Sequence, residues 1–423
     1  MKLSPFYRFA LSLSLVGLLA AGVIYFSSPA RVGSGAQTAL AGTAIDSSLP
    51  LAHLQAPLAE FDFESVGGRI FIPAEVNGHQ TSAVLDTGAN ASVMDLALAE
   101  QWNLPTQGEL NIHGTGNTAS KGKFLSQVKV TFGQITEQIL YAVPLGLLTA
   151  IEGRRFETII GTPFFQAHVV EVDYAKRHVR IFKSQAQIPS KGMVIPLRFV
   201  DNHPHITAEM MIGGNAYQLE TMVDIGAAGT SLTAKFLKGH PLKVTTTAQT
   251  VISTGVRGNA EGRLFRPEAV KIGNVSLAKP VMRLTESLGG GTGENSSYDL
   301  LLGTDLLRRF RVTFDYAHQR MILEPGDEVA QPFEADKTGL RIHAREPDWR
   351  SFKVAAVLPG SSAESAGIKV DDVIETIDGA PASKYTLAQL RELFKSPTAT
   401  KWELGLRRGE QQLKLMVTAK SII

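Results

Sequence analysis

The chain lacks cysteine entirely, which excludes disulfides, thiolate metal sites and cysteine nucleophiles. It also lacks a charge excess: 42 Lys and Arg face 40 Asp and Glu, for a formal net charge of +2. A polyanion partner such as a nucleic acid is therefore not expected. Charged residues are few (19%) and apolar ones make up 44%, so the chain of 423 residues should fold into several domains rather than stay disordered.

Two motifs for cofactor chemistry are also missing. No HExxH pattern occurs, and the Gly-rich stretch at residues 289–293 has no lysine that would make it a phosphate-binding loop. His203 and His205 lie two residues apart and could face one side of a strand as metal ligands, but ordinary polar surface is the favoured interpretation. We expect neither a metal nor an organic cofactor.

The N-terminus carries a targeting signal. Lys2 and Arg8 precede an apolar run over residues 9–26, which lies between the length of a signal-peptide core and that of a spanning helix. Positive residues before the run predict that the rest of the chain is exported. We expect a signal peptide or signal anchor over residues 1–30, with an uncleaved anchor favoured over a cleaved signal and a buried helix disfavoured. A flexible tether rich in Gly, Ala, Ser and Thr should follow over residues 31–60.

Two segments of the chain repeat the same order of patterns. Each has a strand-like run, a turn with Asn and Gly, an apolar strand ending in Asp-x-Gly, an Ile-Ile-Gly or Leu-Leu-Gly signal, a short helix and an Asp-Tyr turn. The matching motifs are Asp86-Thr87-Gly88 and Asp224-Ile225-Gly226, Ile159-Ile160-Gly161 and Leu301-Leu302-Gly303, and Asp173-Tyr174 and Asp315-Tyr316.

The spacing of the motifs agrees between the segments. Gly161 follows Asp86 by 75 residues, and Gly303 follows Asp224 by 79. The intervals from each Asp to its Asp-Tyr turn are 87 and 91 residues, so one four-residue length change explains both differences. The repeat predicts two copies of one β-rich domain, over residues 61–190 and 191–325.

The Asp-x-Gly motifs suggest a specific chemistry. A carboxylate at a strand end, followed by Gly, lies on a tight turn where backbone N–H groups can hold it. Two such turns facing each other across a pseudo-twofold axis would bring two carboxylates into contact, and the pair would share a proton. One carboxyl group then acts as base towards a water while the other polarises the carbonyl under attack. Such a pair titrates as a unit.

These motifs, with Ala89 after the first of them, resemble the retropepsin-like aspartic proteases, with the two halves of the dimer fused in one chain. The resemblance implies a mainly β fold with a closed six-stranded barrel-like half on each side, a monomeric pseudo-dimer, a polypeptide substrate and catalytic Asp86 and Asp224. It also implies residues that support the active-site loops and two flap hairpins over the substrate. The loop residues are Thr87, Gly88, Ile225, Gly226, Gly161 and Gly303, and the flap residues are Gly114, Thr115, Gly116, Gly255 and Val256. An ordinary surface turn is the alternative interpretation of the flap glycines.

One residue departs from the family pattern. In the family, the Thr after each Asp makes a reciprocal hydrogen bond to the opposite loop. Thr87 can do so, but Ile225 has no hydroxyl group, so half of this brace should be missing. A buried hydrogen bond contributes about 0.5–1.5 kcal/mol net. The change is compatible with an active protease and also with a degenerate site.

The C-terminal part resembles a PDZ domain of the bacterial protease-associated type. After a turn-rich linker at residues 326–337, residues 338–420 contain Pro359-Gly360-Ser361-Ser362-Ala363, then Ala366-Gly367-Ile368 and an amphipathic helix at 386–394. The resemblance implies that a peptide or protein C-terminus is captured by strand addition, with its carboxylate held by backbone N–H groups. The predicted peptide-binding residues are Gly339, Leu340, Arg341 and Ile342.

The sequence thus favours an exported aspartic endopeptidase with a PDZ module. Its predicted location is the bacterial periplasm, either tethered to the inner membrane or released by signal cleavage. Two alternatives stay open. The first is a peptide-binding scaffold whose protease-like halves are not catalytic, which Ile225 would favour. The second is a homodimer that pairs two copies of Asp86, which the internal repeat disfavours.

Overall fold

The computed structural model of the protein describes residues 56–112, 120–188, 191–247, 250–255, 258–285 and 296–423. The predicted signal segment at residues 1–30, and the tether up to residue 55, lie outside the described residues. Within the ranges described, no helix is both long and apolar enough to cross a membrane.

The first half is built mainly from β-strands. In the described part of this half the strands are β1 Ala59–Asp62, β2 Glu64–Val66, β3 Arg69–Val76, β4 His79–Leu85, β5 Val93–Asp95, β6 Thr106–Ile112, β7 Ser120–Phe132, β8 Ile135–Val143, β9 Thr158–Ile160, β10 His168–Asp173 and β11 His178–Lys183. The helices are α1 Leu96–Gln101, α2 Gly146–Glu152 and α3 Thr162–Ala167.

The second half repeats this plan. Its described strands are β12 Met193–Pro196, β13 Arg198–Val200, β14 His203–Ile212, β15 Asn215–Val223, β16 Ser231–Leu232, β17 Thr250–Gly255, β18 Gly258–Phe265, β19 Ala269–Ile272, β20 Val275–Ala278, β21 Met282–Thr285, β22 Leu300–Leu302, β23 Phe310–Asp315 and β24 Arg320–Pro325. The helices are α4 Ala234–Gly239 and α5 Thr304–Leu307, with a 3₁₀ turn at Tyr316–His318.

Matching hairpins begin the two halves. Strands β3 and β4 are joined by Asn77 and Gly78, whose φ angles are 46° and 90°, and β14 and β15 by Gly213 and Gly214, at 58° and 73°. Two residues with positive φ are what a two-residue hairpin turn requires, which explains the Asn and Gly at these positions. In each half, the Asp-x-Gly loop therefore begins directly after the second strand of this hairpin.

Each half has its own sheet. In the first half the order is β2-β3-β4-β9-β5-β8-β7-β6, and an added β3–β7 pairing closes it. In the second the order is β17-β18-β21-β16-β22-β15-β14-β19-β20, with β13 on β14. These sheets contain eight and ten strands in the described chain, so the expected number of six per half is wrong, because short strands such as β2 and β13 extend the edges. The mainly β architecture with two protease-like halves is confirmed.

A third sheet joins the halves, in the order β1-β11-β10-β23-β24-β12. At its centre β10 pairs antiparallel with β23, and Glu171 lies opposite Thr313. These two residues hold the same place relative to the Asp-Tyr motifs of their halves. The pseudo-twofold axis therefore passes between them, and it relates the two Asp-x-Gly loops to each other.

The C-terminal module has its own sheet and core. Its described elements are β25 Leu340–Arg345, β26 Ser351–Val357, α6 Ser362–Ser365, β27 Val373–Ile377, β28 Ala380–Pro381, a 3₁₀ turn Ala382–Lys384, α7 Leu387–Leu393, β29 Lys401–Arg408 and β30 Gln411–Thr418. The sheet order is β25-β26-β27-β29-β30, with β28 on β27. Thr386 and Gln389 form a capping box at the start of α7, and Phe352, Phe394 and Trp402 are buried in the core.

The segment at residues 326–337 runs along the second half. The Arg309 guanidinium donates to the carbonyl oxygens of Glu328 and Pro332 and lies 3.5 Å from the centre of the Phe333 ring. Arg309 is buried, and these carbonyl and ring contacts compensate for taking its charge out of water. The chain between the second half and the C-terminal module is therefore fixed to the second half.

Candidate active site

The two Asp-x-Gly loops are held by equivalent parallel strands. Asp86 follows β4, and its N–H donates to the carbonyl oxygen of Ile160 in β9 at 3.0 Å. Asp224 follows β15, and its N–H donates to Leu302 in β22, also at 3.0 Å. The Ile-Ile-Gly and Leu-Leu-Gly signals of the sequence thus act as the neighbours that fix the backbone of each Asp.

Backbone N–H groups hold both carboxylates inside their own turns. The Gly88 N–H donates to Oδ1 of Asp86 at 2.8 Å, and the Gly226 N–H donates to Oδ1 of Asp224 at the same distance. Asp224 accepts a further bond from the Ala227 N–H at 3.0 Å. Such donors orient each carboxyl group and oppose a rise of its pKa.

The two Asp-x-Gly loops lie so close to each other that only glycine fits at the third position of each motif. A Cβ on Gly88 would lie 2.5 Å from Cγ of Asp224, and a Cβ on Gly226 would lie 2.2 Å from Cγ of Asp86. The two carboxyl groups therefore lie next to each other, close enough for the charge of Asp224 to raise the pKa of Asp86. Oδ2 of Asp224 is buried and receives no N–H or O–H donor within the described chain, so a bond between the carboxyls requires one of them to carry a proton. The structure thus brings Asp86 and Asp224 together.

The environment raises the pKa of both groups. For Asp86 the causes are burial first and the charge of Asp224 second, opposed by the Gly88 N–H and by Arg69. Burial raises the pKa of Asp224 to about 7, against the Gly226 N–H and Arg69. Because like charges this close cannot both ionise easily, the pair favours a state with one shared proton. One proton on two carboxyl groups is the state that can act as acid and base together.

The brace between the loops is one-sided, as the sequence predicted. The Thr87 hydroxyl donates to the carbonyl oxygen of Val223 at 2.9 Å and accepts from the Ile225 N–H at 3.1 Å. Ile225 has no hydroxyl group, and its side chain is fully buried in the central hydrophobic cluster together with Leu85. One half of the brace is therefore a pair of hydrogen bonds and the other is hydrophobic packing.

The two later glycines allow a close approach of backbones. A Cβ on Gly161 would lie 2.4 Å from the carbonyl oxygen of Ala89, and one on Gly303 would lie 2.6 Å from the carbonyl carbon of Gly229. Their N–H groups donate to equivalent hydroxyls, those of Ser92 and Thr230. Each glycine therefore lets its strand end pack directly behind an Asp-x-Gly loop.

Two basic side chains reach across to the opposite loop, and sequence reasoning missed both. Arg69 donates from Nε to the carbonyl oxygen of Gly226 at 2.6 Å, and its charge lowers the pKa of both aspartates. The ring of His203 faces the backbone of Gly88, which opposes the fall of the imidazole pKa. Each is the first residue of the strand that opens its repeat, β3 or β14. That shared position is the signal that could have found them.

The prediction that His203 and His205 lie on the polar surface is wrong. They are 1% and 0% exposed, because β14 runs through the core of the second half. Burial, followed by the neighbouring His205, lowers the pKa of His203 to about 3. Burial also lowers the pKa of His205, whose Nδ1 lies 2.7 Å from Oε1 of Glu220. Within the described chain, no group of three or more His, Asp or Glu side chains is placed to hold a metal ion.

The Asp-Tyr turns place two tyrosines near the dyad. Tyr174 and Tyr316 are buried, and burial raises the pKa of both phenols. The negative charge of Asp224 raises these pKa values further, and for Tyr316 so does that of Asp86. Both phenols therefore remain protonated.

The predicted flap residues are only partly described. Gly114, Thr115, Gly116 and Val256 lie outside the described residues. Gly255 ends β17 and pairs with Gly258 at the start of β18, so the backbone on both sides of residues 256–257 forms an antiparallel hairpin.

The predicted peptide-binding loop of the C-terminal module binds a carboxylate of its own chain. The Gly339 N–H donates to Oδ1 of Asp336 at 2.5 Å, and the Leu340 N–H donates to the Thr338 hydroxyl at 3.1 Å. Leu340 and Ile342 point into the core of the module, and burial lowers the pKa of the Arg341 guanidinium. The backbone donors of Gly339 and Leu340 are thus already engaged within the chain.

Comparisons with known proteins agree with this geometry. Residues 72–164 and 208–306 match the family model described as aspartyl protease, and residues 353–408 match the one described as PDZ domain. A stretch of 130 residues is 25% identical to DNA damage-inducible protein 1 of Kluyveromyces lactis; it covers 29% of this chain and 30% of that protein's length. The predicted resemblance is confirmed: both halves match the aspartyl protease model, and a match to the PDZ domain model follows them.

Proposed function

We propose that this protein is an aspartic endopeptidase that hydrolyses peptide bonds with a water activated by Asp86 and Asp224. The observation that carries the proposal is the contact of these two buried carboxyl groups at the meeting point of two pseudo-symmetric loops. Their raised pKa values favour a state with one shared proton, which is what the reaction needs.

The proposed reaction is general acid–base hydrolysis. The ionised carboxyl group takes a proton from water as the water oxygen attacks the peptide carbonyl carbon, and the protonated carboxyl group donates its proton to the carbonyl oxygen. The tetrahedral diol then breaks down: one hydroxyl proton returns to the dyad, and the amide nitrogen receives a proton as its bond to carbon breaks. The dyad ends with one proton, as it began, and we assign no separate roles to its members.

The PDZ domain supports peptide binding, and we propose that it recognises a peptide or protein C-terminus. We further propose that the protein is exported to the periplasm and held at the inner membrane through residues 1–30, on the basis of the charged and apolar pattern of that segment. Cell fractionation of the full chain should place it with the membrane. Recovery in the cytoplasm would contradict the export proposal without affecting the dyad.

The test of the enzyme is cleavage of an unfolded protein. Purified protein is incubated with casein between pH 3 and 8, alongside Asp86→Asn, Asp224→Asn and the control Asp327→Asn, which changes an exposed carboxylate outside both Asp-x-Gly motifs. Wild type and control should produce fragments, and the two dyad variants should not. Equal cleavage by wild type and Asp86→Asn would end the two-aspartate assignment.

A second candidate function rests on Ile225. The loss of one hydroxyl brace favours a protein that binds peptides in the groove without cleaving them, and absence of fragments at every pH would support it. The homodimer that pairs two copies of Asp86 is not supported, because Asp86 meets Asp224 of its own chain. Its signature would be full activity of Asp224→Asn.

A further inference from the structure

The PDZ sheet has one edge that faces the protease region. Strand β25 pairs with β26 on one side, and helix α7 packs beside its other edge. In this geometry an extended peptide adds to the edge strand, between that strand and the helix. The space between β25 and α7 is therefore where a bound peptide would lie.

A segment of the first protease half occupies this space. Helix α2 packs against β25, and the residue after it, Gly153, lies between the PDZ strand and helix. A Cβ on Gly153 would be 2.9 Å from Cβ of Leu387 in α7 and 3.0 Å from Cβ of Ala344 in β25. Gly153 also has a φ of 65°, so glycine is needed both for the turn and for the fit. The next residues extend the contact, with Arg155 paired to Glu346 at 3.9 Å.

Arg391, in the PDZ helix α7, hydrogen-bonds to the segment of the first protease half that lies in the groove. Arg391 donates from Nη2 to the carbonyl oxygen of Ile151, and the same nitrogen lies 3.4 Å from the carbonyl oxygen of Ile342 in β25. Its Nη1 donates to Oε2 of Glu152 at 3.2 Å. Arg391 therefore joins the PDZ helix, the PDZ edge strand and the inserted segment in one set of hydrogen bonds.

Glu152 connects this set to the dyad. Its carboxylate is buried between Arg391 and Arg69, and Oε1 accepts from Nη1 of Arg69 at 2.5 Å. Burial alone would raise the pKa of Glu152, but the charges of Arg69 and Arg391 lower it, so Glu152 stays ionised. Arg69 in turn donates to the carbonyl oxygen of Gly226, the glycine that touches Asp86. Three polar contacts thus lead from α7 to the second active-site loop.

We propose that residues 146–153 occupy the PDZ groove as its resident ligand. Glu152 and Arg69 are then positioning residues, because they link the docked PDZ domain to the second active-site loop. The inference rests on the proposed protease function. A docked PDZ domain keeps Glu152 between two arginines, and this holds Arg69 against Gly226. An extended polypeptide that pairs with β25 must displace residues 146–153 and withdraw Arg391 from Glu152. Its binding lowers the turnover of the dyad.

The first test opens the interface without touching the dyad or its arginines. Gly153→Leu places a side chain where Leu387 and Ala344 leave no room, and the matched control Gly213→Leu has nearly the same φ, 58°, with nothing within 4 Å. Hydrogen exchange followed by mass spectrometry reports opening at residues 146–153 and 387–393. The same experiment reports loosening of the active-site loop at residues 223–230.

Gly153→Leu should speed exchange at both places and lower kcat on the order of tenfold with little change in KM, while Gly213→Leu should change neither. A second variant, Arg391→Ala, removes only a partly exposed side chain and should act in the same direction if Gly153→Leu does not fold. Arg391→Lys, which keeps the charge beside Glu152, should restore part of the kcat. The double variant should be no worse than the more affected single variant, because both break the same link.

The possible failures are distinguishable. If the groove opens in Gly153→Leu or Arg391→Ala while exchange at 223–230 and kcat stay at the wild-type values, the positioning role is wrong and the protease assignment stands. If wild type cleaves nothing but the loop still loosens when the groove opens, the coupling holds and the proposed function is wrong. If the groove does not open in either variant, residues 146–153 are not held there by the contacts described, and the inference fails.

Discussion

The two protease halves present the same carboxylate on the same turn but support it differently. Both turns hold Oδ1 of the Asp through the N–H of the following Gly, at 2.8 Å in each case. Only the first half makes a hydroxyl hydrogen bond to the opposite loop, from Thr87 to the carbonyl oxygen of Val223. The matching residue of the second half, Ile225, contributes hydrophobic packing instead. The difference indicates that the contact of the two carboxyls depends on the turns and glycines, and that the brace between loops can be built from either kind of interaction.

The halves also differ in the charge behind the loops. The first half sends Arg69, a permanent cation, to the carbonyl oxygen of Gly226. The second half sends His203 to the backbone of Gly88, and burial keeps that imidazole neutral by lowering its pKa to about 3. The two side chains hold pseudo-symmetric places, but Arg69 carries a charge and the imidazole of His203 does not. The charge of Arg69 opposes the rise of both aspartate pKa values.

The largest expected effect is the loss of cleavage rate when either aspartate of the dyad is replaced, and it should be equal for the two halves. Asp86→Asn and Asp224→Asn should each reduce the cleavage rate by about 10²- to 10⁴-fold, because either change removes the shared acid and base. The double variant should be no slower than either single variant, since the dyad acts as a unit. Initial rates on casein decide this, with Asp327→Asn as control. A tenfold or greater difference between the two single variants would show that the halves are not equivalent in the reaction.

The two residues of the brace, Thr87 and Ile225, should by contrast contribute unequally to the free energy of unfolding. Thr87→Val leaves the Val223 carbonyl and the Ile225 N–H without their partner in a buried place, so the free energy of unfolding should fall by about 1–3 kcal/mol. Ile225→Thr adds a hydroxyl group but loses apolar burial, so it should change stability by less than about 1 kcal/mol.

Urea denaturation measures both brace variants, with Thr136→Val as an exposed control. Equal losses at positions 87 and 225 would mean that the hydroxyl bonds contribute no more than the packing does.

The two basic residues should differ in their dependence on pH. His203 has a pKa of about 3 in the folded protein and about 6.5 when unfolded, so between these values the unfolded chain binds the additional proton. Stability should therefore fall as pH decreases through this window. His203→Gln, which keeps a polar side chain in this place without a titrating group, should lose less stability than wild type between pH 7 and pH 4. Urea denaturation at the two pH values tests this, with exposed His79→Gln as control, and an identical acid loss in wild type and His203→Gln would contradict it.

The smallest expected effect is the part of an Arg69 substitution that acts through its charge, in addition to the fall of kcat expected from losing its contact with Gly226. Its charge lowers the pKa of Asp86 and of Asp224, so Arg69→Gln should raise both and move the two limbs of the pH–rate profile to higher pH, by less than about one unit. The profile of kcat/KM on a peptide substrate checks the shift. A uniform fall of the rate with unchanged limbs would assign Arg69 a purely mechanical role.

Much of the fold could be predicted because it rests on local rules. The strand period, the Asn and Gly turns and the repeated Asp-x-Gly spacing each depend on a few neighbouring residues, and β3, the hairpin turns and helix α7 lie where the sequence indicates. The one-sided brace could be predicted as well, because it needs only the absence of a hydroxyl group at Ile225. The burial of His203 and Arg309 could not, because it depends on which distant segments cover them.

The sequence alone thus determined that two similar β-rich units each place an aspartate on a glycine turn, since duplication and turn chemistry are written in residue order. Only the tertiary structure decided that Arg69 and His203 reach the opposite loop. It also decided that residues 146–153 lie in the PDZ groove, with Glu152 between Arg69 and Arg391. These contacts join residues far apart in the chain, and their energies depend on burial and distance, which no local pattern of residues specifies.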